Sequence, residues 1–326
     1  MLWIKFAASA VMIVLAASQL AKYGDVIAVR TRLGGMFIGV LLLAAATSLP
    51  ELLTSVSAIK LDAPDLAAGN LLGSNTINML LLAIVDMVHV RQRILRKAAF
   101  KHALTGSLAV FLIGLVVFFI LADIEVMVGW VGIDSLLIIA MYFISVRLIQ
   151  GNAPHGGHSA VMAEIPEETP ALWKGIAGFT AATASLVFVT PIMVTSANEI
   201  AAVTGLGTTF VGTTLVALVT SLPETVTTLA AIRIGADDMA IGNLFGSNMF
   251  NVFAIGMTDV FYTQGRFLSA INPAFLLVGM TGLLMTGMGL IGNLAKLEKR
   301  ILFLEIDALA LIVVYFASLW LIYSRG

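Results

Sequence analysis

The sequence predicts an all-α membrane protein with about ten transmembrane helices in two inverted five-helix repeats. Hydrophobic residues make up 60% of the 326 residues and charged residues only 11%, whereas soluble domains contain about 25% charged residues. Apolar runs of about 20 residues, the length that spans a bilayer, recur along the chain. The segment from Phe37 to Asp86 is also repeated, without a gap, from Phe210 to Asp259.

Ten apolar segments are long enough to be predicted as transmembrane helices. They cover residues 2–22, 35–59, 65–89, 101–122, 125–148, 174–203, 207–232, 238–261, 268–291 and 301–323. The first segment is longer than the apolar region of a signal peptide, so we expect a spanning helix there. Because each half contains five helices, an odd number, the second half must enter the membrane from the opposite face.

The sequence divides into a first repeat at residues 1–149, a linker at 150–172 and a second repeat at 173–326. The linker is polar and contains glycine and proline, which is typical of a tether. Its histidines and glutamates could bind a regulatory metal ion, although a solvated tether is the favoured interpretation; these residues are His155, His158, Glu164, Glu167 and Glu168.

Basic residues predict the orientation in the membrane. Fourteen of the 18 lysines and arginines fall on one side of the ten predicted helices, and basic loops face the cytoplasm. The linker is therefore predicted to be cytoplasmic, with both termini outside. The basic loop at residues 91–97 is interpreted as a topology and lipid-headgroup signal rather than as a nucleic-acid site.

Each repeat carries the motif T-S-L-P-E inside an apolar helix, with Pro50 and Glu51 in the first copy and Pro223 and Glu224 in the second. Proline has no N–H and collides with the carbonyl four residues earlier, so each helix must kink or unwind there. Ionisable residues at membrane depth are costly and mark ion pathways. The two glutamates therefore predict a cation site at the repeat interface.

Oxygen ligands surround each predicted glutamate. They come from the backbone carbonyls and hydroxyls of an A-x-x-T-S segment and from the carboxylate: Ala44, Thr47, Ser48 and Glu51, and Ala217, Thr220, Ser221 and Glu224. Calcium takes about six to eight such oxygens. Two carboxylates balance one divalent ion or two monovalent ions, and competition between those loads would provide a physical basis for antiport.

The following helix of each repeat adds a polar stripe. Its residues are spaced by four and so share one helix face: Asn70, Ser74 and Asn78, and Asn243, Ser247 and Asn251. Glycines beside the stripe permit close helix contact. Hydrogen bonding between helices is the alternative role for these polar residues, but two matched triplets beside two glutamates favour a part in ion binding.

These motifs, T-S-L-P-E followed by G-N-L-L-G-S-N or G-N-L-F-G-S-N, resemble the alpha-1 and alpha-2 repeats of sodium/calcium exchangers in the cation/calcium exchanger superfamily. The resemblance implies calcium binding by Glu51 and Glu224 with the backbone of Thr47 and Thr220. It implies flanking sodium sites at Ala44, Thr47, Ser48, Ser74, Ala217, Thr220, Ser221 and Ser247, next to Asn78 and Asn251. It also implies that the helix 1/6 pair slides over a rigid core.

The expected function is exchange of calcium for sodium across the cytoplasmic membrane. The sequence departs from the family pattern at Ala46 and Val219, where glycine is usual, and at Asn251, where aspartate is frequent; Asn78 matches Asn251 in the first repeat. The missing carboxylate leaves proton- or potassium-coupled calcium/cation antiport as the alternative.

Other functional classes are less consistent with the sequence. A passive channel would not need an inverted repeat with broken helices. An enzyme is not predicted, because the chain lacks cysteine and the motifs H-E-x-x-H and G-x-S-x-G. We expect no cofactor, with calcium and sodium as the transported ions. The expected partners are metal ions and the lipid bilayer, with no nucleic acid and no evident obligatory protein partner.

Overall fold

The computed structural model of the protein describes residues 2–31, 43–88, 94–152, 169–233, 237–295, 300–301 and 304–325. Most of these residues are helical. The helices are α1 (Leu2–Thr31), α2 (Leu49–Lys60), α3 (Pro64–Val88), α4 (Ile94–Ala122), α5 (Ile133–Gly151), α6 (Leu172–Thr204), α7 (Thr208–Val211), α8 (Ala217–Thr220), α9 (Leu222–Arg233), α10 (Asp237–Phe261), α11 (Phe267–Ala270), α12 (Phe275–Ala295) and α13 (Ile306–Arg325). A π-helical turn, Gly212–Val216, joins α7 to α8.

Seven of the described helices are long and apolar enough to cross a membrane: α1, α3, α4, α5, α6, α12 and α13. The pair Thr208–Thr220 and Leu222–Arg233, which is bent by 44°, would be an eighth span. The protein is therefore a mostly helical membrane protein. Two predicted spans fall outside this group. Residues 35–42 of one lie outside the described part of the chain, and the other, α10, is less apolar than the equivalent helix α3.

Two short antiparallel hairpins replace the first residues of predicted helices 125–148 and 301–323, so those boundaries were wrong. Strands β1 (Met127–Val128) and β2 (Val131–Gly132) form the first hairpin. Strands β3 (Arg300–Ile301) and β4 (Leu304–Glu305) form the second. In the first hairpin Gly129 adopts φ 68°, a left-handed conformation that glycine adopts without strain and that tight hairpin turns require.

The predicted helix 268–291 is also interrupted. The short helix α11 ends at Ala270, and the long helix α12 begins only at Phe275. Pro273 lies in the interruption, and Asn272 Oδ1 accepts a hydrogen bond from Ala274 N at 2.8 Å. Proline has no N–H to donate within a helix, so the apolar composition that suggested a continuous span concealed a turn.

Helices α3 and α10 form the centre of the molecule. Almost all of α3 is buried within the protein. Gly69 and Gly73 bring α3 against the π-helical turn, where a methyl group added at Gly69 would lie 2.8 Å from the backbone of Gly212. Real side chains do not approach so closely, so glycine is required for this helix contact. Around the centre, α1 packs along α6.

A polar cluster fastens the first hairpin to the end of α10. The guanidinium of Arg266, which is 6% exposed, contacts Asp134 at 2.8 Å and Asp123 at 3.0 Å. The Asp259 carboxylate accepts hydrogen bonds from Gly132 N at 2.8 Å and Phe267 N at 2.6 Å. The cluster therefore joins β2, α5, α10 and α11 into one unit.

We expect Arg266→Leu to destabilise the protein by about 3 kcal/mol, because it leaves the buried Asp134 carboxylate without its cation. The measurement is the thermal unfolding temperature of the purified protein in detergent. Arg233→Leu is the control, since Arg233 is exposed and its loss is expected to change stability by less than about 0.5 kcal/mol. Equal unfolding temperatures for both variants would contradict the structural role of the cluster.

Candidate cation site

The two T-S-L-P-E motifs form matched helix breaks. The chain leaves helical geometry at Ser48, with φ −91° and ψ 4°, and at Ser221, with φ −83° and ψ 2°. The next helix of each repeat, α2 or α9, begins at the following leucine. Because Pro50 carries no N–H, the carbonyl of Ala46 loses its usual helical donor. The breaks therefore lie beside Glu51 and Glu224, within one turn of each proline.

Each glutamate accepts a hydrogen bond from the serine of the other motif. Ser48 Oγ donates to Glu224 Oε1 at 2.7 Å, and Ser221 Oγ donates to Glu51 Oε1 at 3.3 Å. All four side chains are at most 1% exposed. The two breaks therefore face one another, and both carboxylates are removed from lipid.

A second pair of contacts links the break of each repeat to the polar stripe of the opposite repeat. Thr220 Oγ1 donates to Asn70 Oδ1 at 2.8 Å, and Thr47 Oγ1 lies 3.5 Å from Asn243 Oδ1. The amide of Asn70 also donates to the backbone carbonyl of Glu51 at 2.8 Å. These bonds hold α3 and α10 against both breaks.

The far end of the stripe contains a third reciprocal pair. Asn78 Nδ2 donates to Asn248 Oδ1 at 3.0 Å, and Asn251 Nδ2 donates to Asn75 Oδ1 at 3.1 Å. All four amides are at most 1% exposed. Asn75 and Asn248 were not among the predicted site residues, although their equivalent positions in the two repeats were visible in the sequence.

Six buried oxygens in this region have no hydrogen-bond partner among the described residues that meets the usual distance and angle limits. They form three pairs at equivalent repeat positions: Oε2 of Glu51 and Glu224, Oγ of Ser74 and Ser247, and Oδ1 of Asn78 and Asn251. Ser247 lies beside the Glu224 carboxylate. Buried polar atoms are almost always paired, so an unpaired set calls for a water or an ion. These oxygens are hard ligands of the kind that calcium and sodium take.

The backbone carbonyls of Ala44 and Ala217 are already engaged in this conformation. Ala44 O accepts from Ser48 N at 2.9 Å and from Thr47 Oγ1 at 3.2 Å. Ala217 O accepts from Ser221 N at 3.0 Å and from Thr220 Oγ1 at 3.2 Å. An ion that used these carbonyls would compete with those bonds.

The charge of the site comes from two carboxylates. Among the described residues, no group of three histidine, cysteine, aspartate or glutamate side chains is placed to hold a metal ion. The other unpaired side-chain oxygens are uncharged: they belong to serine hydroxyls and to the amides of Asn78 and Asn251. The predicted metal ligands of the linker, His155, His158, Glu164, Glu167 and Glu168, lie outside the described residues.

Comparison with known proteins gives a consistent result. A model of the family described as "Sodium/calcium exchanger protein" matches residues 1–149 and 174–324. The chain is 29% identical over 243 residues to the inner membrane protein YrbG of Escherichia coli, covering 71% of this chain and 70% of YrbG. It is 51% identical over 59 residues to the sodium/calcium exchanger MaX1 of Methanosarcina acetivorans, covering 18% of this chain and 17% of MaX1.

Solved structures share the fold. The H+/Ca2+ exchanger CAX superimposes with a TM-score of 0.67 at 12% identity, covering 99% of this chain and 88% of CAX. The sodium-calcium exchanger NCX_Mj superimposes with a TM-score of 0.61 at 21% identity, covering 98% and 99%. With a family match over nearly its whole length, the chain belongs to the sodium/calcium exchanger family within the cation/calcium exchanger superfamily, and it is an antiporter of the membrane rather than an enzyme.

Proposed function

We propose that the protein exchanges calcium for sodium across the plasma membrane by alternating access. The observation that carries this proposal is the pair of buried glutamates with matched unpaired oxygens from both repeats. A buried carboxylate pair without a cationic side chain needs a cation to balance its charge. Among the described residues, Glu51 and Glu224 form no ion pair with a lysine, arginine or histidine side chain. This supports a transported ion in that role.

The ligand roles follow from charge and oxygen type. Glu51 and Glu224 would balance one calcium ion, with the backbone of Thr47 and Thr220 as further ligands. Two sodium ions would carry the same total charge, using oxygens drawn from Ala44, Thr47, Ser48, Glu51, Ser74, Asn78, Ala217, Thr220, Ser221, Glu224, Ser247 and Asn251. Because both loads need the same carboxylates, they exclude each other, and this exclusion couples their movements.

The proposal includes ten transmembrane helices in two inverted five-helix repeats, residues 1–149 and 173–326. The sequence register of 173 residues extends to structural details that support it. Strands β1 and β2 correspond in this register to β3 and β4, and α5 and α13 both begin at the equivalent isoleucine. The last residues of α1 and α6, Thr31 and Thr204, are also equivalent.

Alternating access is supported by a difference between equivalent positions. Leu53 on α2 is half-buried, whereas its equivalent on α9, Val226, is 49% exposed. Ser57 is 9% exposed, whereas its equivalent, Ala230, is exposed. The half-helix that follows the break thus packs closely against α6 in the first repeat, whereas in the second repeat it makes a smaller contact with the equivalent helix α1. Exchange of these two arrangements would move the opening from one membrane face to the other.

Proton- or potassium-coupled calcium exchange is the second candidate function. The observation that favours it is the pair of amides, Asn78 and Asn251, which leaves two carboxylates to bind the coupling ions. Two protons would neutralise these carboxylates as completely as two sodium ions. The coupling ion therefore has to be measured.

The test is calcium uptake into proteoliposomes with sodium, potassium or proton gradients imposed one at a time. We expect a sodium gradient to drive uptake, and Glu51→Gln or Glu224→Gln to reduce it by about 100-fold or more, because each removes one buried charge worth about 3 kcal/mol. Glu199→Gln is the control, since Glu199 is exposed on α6, and uptake should stay within about twofold.

If only a proton gradient or only a potassium gradient drives uptake, the second candidate function is correct and sodium is not the coupling ion. Near-normal uptake in either site variant would contradict the assignment of the glutamates. Calcium flux that depends on no counter-ion gradient would indicate a channel.

We also propose that both termini are outside and that residues 150–172 are cytoplasmic. The chain has no cysteine, so a single Ser159→Cys variant reports on one position. We expect it to react with an impermeant thiol reagent only after the membrane is opened, whereas Ser324→Cys near the C-terminus should react in intact cells. The reverse pattern would mean that the orientation is inverted.

A further inference from the structure

We infer that Asn75 and Asn248 are positioning residues that fix which end of the Asn251 and Asn78 amides the transported cation meets. The inference rests on the proposed function of the site. Each positioning residue offers its carbonyl oxygen to the NH2 group of the stripe amide, at 3.1 Å from Asn251 and 3.0 Å from Asn78. Within the described part of the chain, the oxygens of Asn251 and Asn78 are thereby left without a partner.

Orientation matters because an asparagine amide is nearly symmetric in shape but opposite in polarity at its two ends. Rotation by a half turn would exchange a cation-binding oxygen for an NH2 group that repels a cation. A carbonyl oxygen accepts but cannot donate, so Asn75 Oδ1 and Asn248 Oδ1 stabilise only the orientation in which the stripe amides present NH2 to them. The same arrangement occurs in both repeats, and in each it selects one orientation only as firmly as the positioning residue is itself held.

The two positioning residues are anchored unequally. Asn248 Nδ2 donates to Thr286 Oγ1 at 3.3 Å and to Asn75 O at 3.4 Å, and Thr286 in turn donates to Gly282 O at 2.7 Å. Asn75 Nδ2, by contrast, is buried and has no partner among the residues that the structure describes. The residue equivalent to Thr286 in the first repeat is Ile113, which cannot accept a hydrogen bond.

The space beside Asn75 would admit such an acceptor. A methyl group built on Gly282 would lie 3.8 Å from Asn75 Cβ and 3.9 Å from Ile113 Cγ2, so Ile113 and Asn75 border the same small region. Ile113→Thr would place a hydroxyl where the second repeat has that of Thr286. It should anchor Asn75 and, through it, the orientation of Asn251.

The experiment measures the calcium concentration that gives half-maximal thermal stabilisation of the purified protein, a binding readout that does not depend on transport. We expect Asn75→Leu and Asn248→Leu to raise this concentration about tenfold, the effect of one misdirected hydrogen-bonding group. Thr76→Val is the matched control, because the buried Thr76 hydroxyl bonds only its own helix, at Gly73 O, and it should leave the concentration unchanged.

Ile113→Thr should lower the half-maximal concentration about twofold in the wild type and have no effect in Asn75→Leu. The inference is overturned if Asn75→Leu and Thr76→Val give the same concentration, or if Ile113→Thr acts equally in both backgrounds. If calcium fails to stabilise even the wild-type protein, the proposed function itself is contradicted.

A second inference comes from an independent contact between α2 and α6. The geometry points to the hydrogen bond between Ser57 and Thr190 as a latch that favours the described conformation over its exchanged counterpart. The two hydroxyl oxygens are 2.8 Å apart and buried. Ser57 Oγ also donates to Leu53 O at 2.8 Å, so its proton is used and Thr190 is the donor in the latch.

The latch has no equivalent in the other repeat. In the 173-residue register, Ser57 corresponds to Ala230 and Thr190 to Ala17, and alanine side chains cannot hydrogen-bond. Under the inverted-repeat exchange of the proposed function, α9 would pack more extensively against α1 while α2 separates from α6. The bond would be lost without replacement, so the two conformations differ in free energy.

Reporter cysteines at the equivalent positions Leu53 and Val226 test the latch, since the chain has no other cysteine. Thr190→Val preserves shape and leaves Ser57 bonded to Leu53 O. We expect it to raise the thiol labelling rate of Leu53→Cys about fivefold, the population change from one net hydrogen bond, without raising that of Val226→Cys. Ala17→Thr combined with Ala230→Ser should raise Leu53→Cys labelling in the wild-type background.

General loosening of the helices would raise labelling at both reporters, and this outcome would overturn the latch. An unchanged Leu53→Cys rate in Thr190→Val would overturn it as well. A Leu53→Cys reporter that labels in no variant would contradict alternating access itself.

Discussion

Two carboxylates buried at the centre of an apolar helical protein are the constraint on which the rest of the structure depends. Glu51 and Glu224 are at most 1% exposed, and a buried charge must be hydrogen-bonded and balanced. The two helix breaks bring serine and threonine hydroxyls next to these carboxylates. The central helices α3 and α10 supply amides, and the remaining helices exclude lipid from both.

Duplication explains why these contacts are reciprocal. Ser48 bonds the second glutamate and Ser221 the first, so neither half completes its own site. The threonine of each break also contacts an asparagine of the other half. A single repeat would therefore leave a carboxylate exposed to lipid, and the joined halves are the smallest unit in which both carboxylates are bonded.

The sequence predicted the helical class and the position of each break. Apolar runs and proline determine local structure directly, and both occur at equivalent positions in the two repeats. It did not predict the hairpins, since two-residue strands such as Met127–Val128 lie in an apolar segment without a distinct period. The Arg266–Asp134 ion pair was missed because its partners are 132 residues apart. The ten-helix count and the ligand roles of the site residues stay predictions.

The role of Asn75 shows a further limit. Its position in the repeat was visible in the sequence. Spacing alone, however, does not reveal whether the amide of Asn251 bonds Asn75 or Asn78. That choice depends on helix rotation and on the packing of α3 against α10, which distant residues set. Sequence therefore located the polar stripe, whereas the direction of each amide required the assembled helices.

The glycine contact between α3 and the turn at Gly212–Val216 has a mechanical consequence. At Gly73 an added methyl group would lie 2.6 Å from the carbonyl oxygen of Thr213, so two backbones touch with no side chains between them. Side chains can change rotamer to absorb a displacement, but touching backbones cannot. We therefore expect this contact to stay fixed during the proposed transport cycle, with the movement occurring in helices farther from it, such as α1 and α6.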